Sequence, residues 1–169
     1  ITCCYFFYST KETKQPIPLK EDITVIVRSV DERTADKCLE YAQKIFGDKN
    51  VFSIKNITPL SEAVKASYQK GIEENKKWTL IIDADTFLFE DKIWQFIEEA
   101  NKTLIKDPNA FCFKGKVFDK FAQRNRTTGT RLYQTKLLSK ALPFVDKGRK
   151  EIRSETFVHG EMINNGYLT

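Results

Sequence analysis

Short runs of β-branched and apolar residues alternate with segments in which apolar residues return every three or four positions. Ile23-Thr24-Val25-Ile26-Val27 has the unbroken apolar character of a strand covered on both faces, and it stops at the polar stretch Arg28 to Arg33. Thr34 or Asp36 can then cap a helix that carries Cys38, Leu39, Ala42, Ile45 and Phe46 on one side and ends at Gly47. Val51 to Ile54 predicts a short strand. Pro59 and Ser61 open a second helix with Ala63, Val64, Ser67, Tyr68 and Ile72 on one face. Trp78-Thr79-Leu80-Ile81-Ile82 is a second buried strand, running into Asp83-Ala84-Asp85, and Ile93, Phe96, Ile97, Ala100 and Leu104 mark a third helix.

Strand and helix alternate three times, which predicts an α/β fold with a mainly parallel sheet and helices on both faces, because parallel neighbours are joined by right-handed helical crossovers. Further on, the pattern loosens. Residues 110–113 and 116–118 suggest one longer or bent strand interrupted at Gly115, and Leu132 to Leu142 fits a helix or an apolar connection ended by Pro143. Residues 1–22, with the aromatic cluster Tyr5 to Tyr8 and two prolines, predict an appended arm or linker. The globular domain is then 23–169, incomplete at its C-terminal end if the acceptor part of a site lies further on.

Composition narrows the class. A chain of 169 residues with 41% hydrophobic content can bury one sizeable core. Its charge of +5 arises from 28 basic against 23 acidic residues spread along the chain, which argues against a nucleic-acid partner. The excess fits a solvated surface, with peripheral attraction to phosphorylated molecules or an anionic membrane face as the functional alternative. Cys3, Cys4, Cys38 and Cys112 have neither zinc-site spacing nor the density of a disulfide scaffold, which points to reduced thiols and a cytoplasmic location, at the inner membrane face if peripheral.

The candidate chemistry lies where strands end. Ligands of open α/β sheets bind outside the carboxyl ends of the strands, and both Asp31-Glu32 and Asp83-x-Asp85 fall there. Alternate residues of an extended segment point the same way, so Asp83 and Asp85 can converge on one Mg²⁺ or Mn²⁺ ion that shares its other positions with water and phosphate.

These residues resemble the glycosyltransferases of the GT-A (Rossmann-like) fold, in particular the large inverting group usually called family 2. The resemblance rests on Ile23 to Thr34 as the nucleotide-binding strand and loop, on Pro59 to Tyr68, and on Trp78 to Asp85. It spans about residues 23 to 120 and continues more weakly through Gly129 to Leu138. It implies a sugar moved from a nucleotide-diphosphate donor to a carbohydrate or lipid-linked acceptor, assisted by Mn²⁺ or Mg²⁺, with inversion. Asp85 would be the metal ligand and Asp83 a ribose or metal contact. Asp31 or Glu32 would meet the nucleoside, with Arg28 at the head of the same loop. A late histidine on the metal, common in related folds, would be His159, the only histidine of the chain. Arg131 and Arg153 would neutralise the leaving diphosphate.

The family's Glu-Asp pair and Gln-x-x-Arg-Trp segment are absent. Glu155 is the nearest candidate for the base that deprotonates the acceptor hydroxyl; Glu151, Glu161 or a residue beyond Thr169 are the alternatives. A nucleotidyltransferase is a second reading, opposed by the lack of glycine between Arg28 and Thr34. A binding module that keeps the fold without catalysis is a third.

Overall fold

The computed structural model describes residues 19–119, 123–127, 129–151 and 153–169, so most of the expected N-terminal arm, with Cys3, Cys4 and the Tyr5–Tyr8 cluster, lies outside the described residues. Strand β1 (Ile23–Ser29), helix α1 (Ala35–Phe46), strand β2 (Val51–Lys55), helix α2 (Leu60–Glu74), strand β3 (Trp78–Asp83) and helix α3 (Glu90–Lys106) follow the order predicted by the alternation. Next come strands β4 (Cys112–Lys114), β5 (Val117–Asp119), β6 (Arg124–Arg126) and β7 (Thr130–Gln134), then helices α4 (Leu138–Lys147) and α5 (Ser154–Asn164).

The sheet has the order β2-β1-β3-β7-β4, with β5 and β6 forming a separate two-stranded ribbon. β1 pairs parallel with β2 and with β3, whereas β7 runs antiparallel to both β3 and β4. The sheet is thus mixed rather than mainly parallel throughout. The reason lies after α3, where no further helix separates the strands and β7 enters from the β5–β6 ribbon, so no parallel crossover is made. The single bent strand expected over residues 110–118 is two strands in two different sheets. Leu132 belongs to β7, and Pro143 sits inside α4 instead of ending it, on a helix held by buried Leu138, Ala141 and Val145.

Helices cover both faces. Ile23, Val25 and Val27 of β1 pack with Leu80, Ile82 and Leu132 against α1 and α3. Ile26, Ile81 and Tyr133 face the other way, against Val64 and Tyr68 of α2, Leu138 and Ala141 of α4, and Val158 and Met162 of α5. The two-residue period of a strand assigns each side chain to one of these layers. Among the described residues, no helix is long and apolar enough to cross a membrane.

One contact between α2 and the sheet leaves no space for a side chain. A Cβ on Gly71 would lie 2.5 Å from Thr79 Oγ1 and 2.8 Å from Leu138 Cδ1. Alanine is the better helix former by about 1 kcal/mol, but overpacking a buried contact costs about 1–3 kcal/mol. Gly71→Ala is therefore expected to lower stability by roughly 1–2 kcal/mol in urea unfolding. An unchanged or raised midpoint would show that α2 can lift off the sheet.

Candidate functional site

β1 passes to β2 through α1 on one face, and α2 returns over the other face to β3 on the opposite side of β1. The carboxyl ends of β1 and β3 thus flank a topological switch point, the crevice where open α/β sheets take ligands. Arg28 and Asp83 face each other across that point in the strand register.

Strand alternation explains which side chains meet. Arg28, Asp83 and Arg131 all project from their strands toward the α2–α4–α5 layer, and Glu155 in the first turn of α5 closes over them. Arg28 donates from Nε and Nη2 to Asp83 Oδ1 at 3.1 and 2.7 Å, and from Nη1 to Glu155 Oε1 at 3.0 Å. Arg131 Nη1 lies 2.9 Å from Glu155 Oε2 and 3.9 Å from Asp83 Oδ2. Tyr133 donates from its hydroxyl to Glu155 Oε1 at 3.3 Å, and the Tyr133 hydroxyl oxygen lies 3.2 Å from His159 Nε2. Two arginines and two carboxylates thus form one ionic cluster, buried at Arg28 and Glu155 and partly exposed at Asp83 and Arg131.

This arrangement weighs against three of the expected roles. Glu155 was expected to act as a base, yet each of its carboxylate oxygens is held by an arginine. Burial pushes its carboxyl up, but the Arg28 and Arg131 guanidiniums outweigh burial and hold it below the usual carboxylate range, which weakens it as a proton acceptor. Arg28, expected to meet the nucleotide, is buried and directs its donors into Asp83 and Glu155. His159, expected on the metal, belongs to the apolar layer beneath α5, with Phe111 and Tyr133 against its ring and its Nε2 engaged by the Tyr133 hydroxyl. No group of three or more His, Cys, Asp or Glu side chains suited to a metal occurs among the described residues.

The acidic pair is also arranged differently from the expectation. The strand ends at Asp83 and the chain turns, Thr86 N donating to Asp83 O at 2.9 Å, so simple alternation does not carry over to Asp85. Three anchors fix the turn: Ala84 N to Arg28 O at 2.9 Å, Thr34 Oγ1 to Ala84 O at 2.7 Å, and Cys38 Sγ to Thr86 O at 3.2 Å. Gly129, at φ +78°, lies so close to the Thr86 hydroxyl that a side chain there would collide. Asp85 is exposed, and the one hydrogen bond of its side chain among the described residues is from Thr86 Oγ1 at 3.3 Å. Burial, then the Asp85 and Asp83 charges, push the Cys38 thiol up to about 11, which makes it an inert packing residue. Asp31 and Glu32 are exposed in the β1–α1 loop, Asp31 at φ 62°, and Glu32 accepts a hydrogen bond from Val30 N. Thr34 ties that loop to the turn carrying Asp85.

A metal shared with a diphosphate needs only one or two protein carboxylates. Asp85 fits as a ligand because its oxygens meet only a hydroxyl; Asp83 has one oxygen engaged by Arg28 and offers the other. Arg153 does not join the acidic pair. It is exposed and lines a cleft of about 790 Å³ with Lys116, Arg126, Arg131 and Glu155, bordered by the β5–β6 ribbon and the start of α5. Lys116 and Arg126 were not singled out by the sequence, because nothing in their spacing marks them among many surface cations; the fold alone gathers them.

No family model and no curated protein sequence matches this chain. Among solved structures, a viral protein, A197 from STIV, is similar over 70% of this chain and 67% of its own, with a TM-score of 0.53 and 9% sequence identity. At that identity the likeness is one of fold: an α/β domain with a mixed five-stranded sheet and helices on both faces.

Proposed function

We propose that this protein binds a nucleotide-diphosphate sugar together with Mn²⁺ or Mg²⁺ and transfers the sugar to a carbohydrate or lipid-linked acceptor, within a GT-A-like fold. The observation that carries the reading is the exposed Asp85 beside the Arg28-clasped Asp83, on an anchored turn at the switch point of the sheet. Asp85, with the outer oxygen of Asp83, would hold the ion, which when bound offsets the negative charge of the diphosphate. Arg28 fixes the Asp83 carboxylate, and the β1–α1 loop with Asp31 and Glu32 supplies polar contacts for the nucleoside. Glu155 acts as a positioning residue that holds Arg28 and Arg131 in place.

Calorimetry with a panel of nucleoside diphosphates in Mn²⁺ tests this. Asp85→Asn is expected to weaken the metal-dependent affinity by about tenfold or more, roughly 1.4 kcal/mol, while leaving the fold intact because the side chain is exposed. Absence of binding to every nucleoside diphosphate in Mn²⁺ would sink the proposal. One observation favours the reading as a nucleotide- or glycan-binding module without turnover: Glu155, the one carboxylate on the described walls of the cleft, has both oxygens held by arginines. Binding without hydrolysis or transfer of any nucleotide sugar would select that reading.

A further inference from the structure

The cleft beside the acidic pair has its own chemistry. Four cations, Lys116, Arg126, Arg131 and Arg153, line it together with a single carboxylate, Glu155. That carboxylate is already matched by Arg28 and Arg131, so it does not neutralise Lys116 or Arg153. Lys116 and Arg153 are exposed, and their side chains have neither an ion pair nor a hydrogen bond among the described residues. Gathering like charges around one concavity costs Coulomb energy that a bound anion removes. Asn125, Thr127 and Thr156 add amide and hydroxyl donors to the same walls. Forked guanidiniums, an ammonium and several neutral donors match a group with many acceptor oxygens and more than one negative charge, which describes a phosphate ester or a diphosphate. The volume of about 790 Å³ leaves room for the molecule that carries the group.

Neither Asp83 nor Asp85 lines this cleft. The two loci adjoin at Arg131, which lines the cleft and lies 3.9 Å from Asp83 Oδ2, and through Glu155, which lines the cleft and pairs with the Arg28 that holds Asp83. We propose that the cleft is a second anion site, distinct from the metal-and-nucleotide locus, and that it holds the phosphate or diphosphate group of the acceptor through Lys116, Arg126 and Arg153, next to the reacting end of the donor. The word acceptor rests on the transferase reading; the anion site itself rests on the cleft.

The test is calorimetric titration of inorganic pyrophosphate, without divalent metal, into the wild type, the double variant Lys116→Gln/Arg153→Gln and Asp85→Asn. Wild type and Asp85→Asn are expected to bind it comparably, and the double variant at least about tenfold more weakly. Undiminished binding in the double variant, or loss in Asp85→Asn, overturns the proposal. So does loss of the Mn²⁺-dependent binding of a nucleoside diphosphate in the double variant, because the cleft would then belong to the donor. Retained pyrophosphate binding in a protein that binds no nucleotide would leave the anion site standing and remove the transferase reading. Two further arms identify the source of the phosphate: glycerol 1-phosphate in solution, and co-sedimentation with phosphatidylcholine vesicles containing phosphatidic acid. Binding in either arm that is lost in the double variant supports the site and assigns its source, and binding in neither overturns its assignment to a phosphate-bearing acceptor. Both substituted side chains are exposed, so an unchanged thermal midpoint verifies that the fold is intact.

Discussion

Glu155→Gln is expected to destabilise the protein by about 3–5 kcal/mol, although glutamine has nearly the same size and shape. The carboxylate compensates two guanidiniums, Arg28 at 3.0 Å and Arg131 at 2.9 Å, and the first of these is only 6% exposed. A neutral amide can accept one of those hydrogen bonds but carries no charge, and Asp83 alone must then balance both arginines. Removing one member of a buried ionic cluster is costly because the remaining charge stays out of water without its counter-charge. For a chain of this length the loss corresponds to a fall of roughly 10 °C in Tm. A double-mutant cycle separates charge from packing. Arg28→Met should cost less in the Glu155→Gln background than in the wild type, because it removes the charge left unbalanced. Equal costs in both backgrounds, or a Glu155→Gln protein as stable as the wild type, would show that the cluster is not coupled. The same variant should retain metal-dependent nucleotide binding better than Asp85→Asn does, since Asp83 keeps its contact with Arg28.

The three α/β repeats were legible because each element carries its own signal: a short unbroken apolar run for β1 and β3, buried on both sides, and a period of 3.6 for α1 to α3. What followed α3 was not, and the reason is physical. β4 and β5 are three residues each, too short to display a period, and their separation into different sheets at Gly115 depends on pairing with β6 and β7. β7 reads as helix-compatible because Leu132 and Leu137 bracket a segment whose strand character comes from its partners. At the site, the acidic turn was visible from Trp78 to Asp85, but the function of Arg28 was not drawn from its position. A lone arginine ending a run of buried strand residues on the same parity as Thr24 and Ile26 must meet a counter-charge, and that parity was the available signal. Its second partner, Glu155, lies 127 residues away, and no local pattern links them. Likewise His159 resembled a ligand by chain position only; Glu155 lies one turn before it on α5, but the rings against it, Phe111 and Tyr133, come from two other stretches of the chain.

The stability of the protein should fall by on the order of 3 kcal/mol between about pH 6.5 and pH 4 because of that histidine alone. Burial keeps His159 neutral and lowers its pKa from 6.5 to about 4. The Glu155 charge pulls it upward, while Lys114 and Arg131 oppose protonation. Tyr133 contacts the ring through its hydroxyl at 3.2 Å, and Phe111 packs edge-on at a centroid distance of 6.0 Å. Within the window the unfolded chain takes up a proton that the native state refuses. Stability is therefore complete above the unfolded value, declines as pH falls toward the native value, and has no further histidine dependence below it; each pKa unit corresponds to about 1.4 kcal/mol. The Glu155 carboxyl acts in a lower window, since its native pKa lies beneath the ordinary carboxylate range and its contribution is lost only as pH falls through that lowered value. As the chain has one histidine, a single imidazole Hε1 resonance reports the site, and its midpoint should lie near 4. Urea unfolding across the same range should show the histidine part of the slope vanish in His159→Gln, whatever the offset in absolute stability. A native midpoint at or above the unperturbed value would mean that the ring is solvated and that α5 does not seal this layer, and the Glu155 clamp would then be exposed along with it.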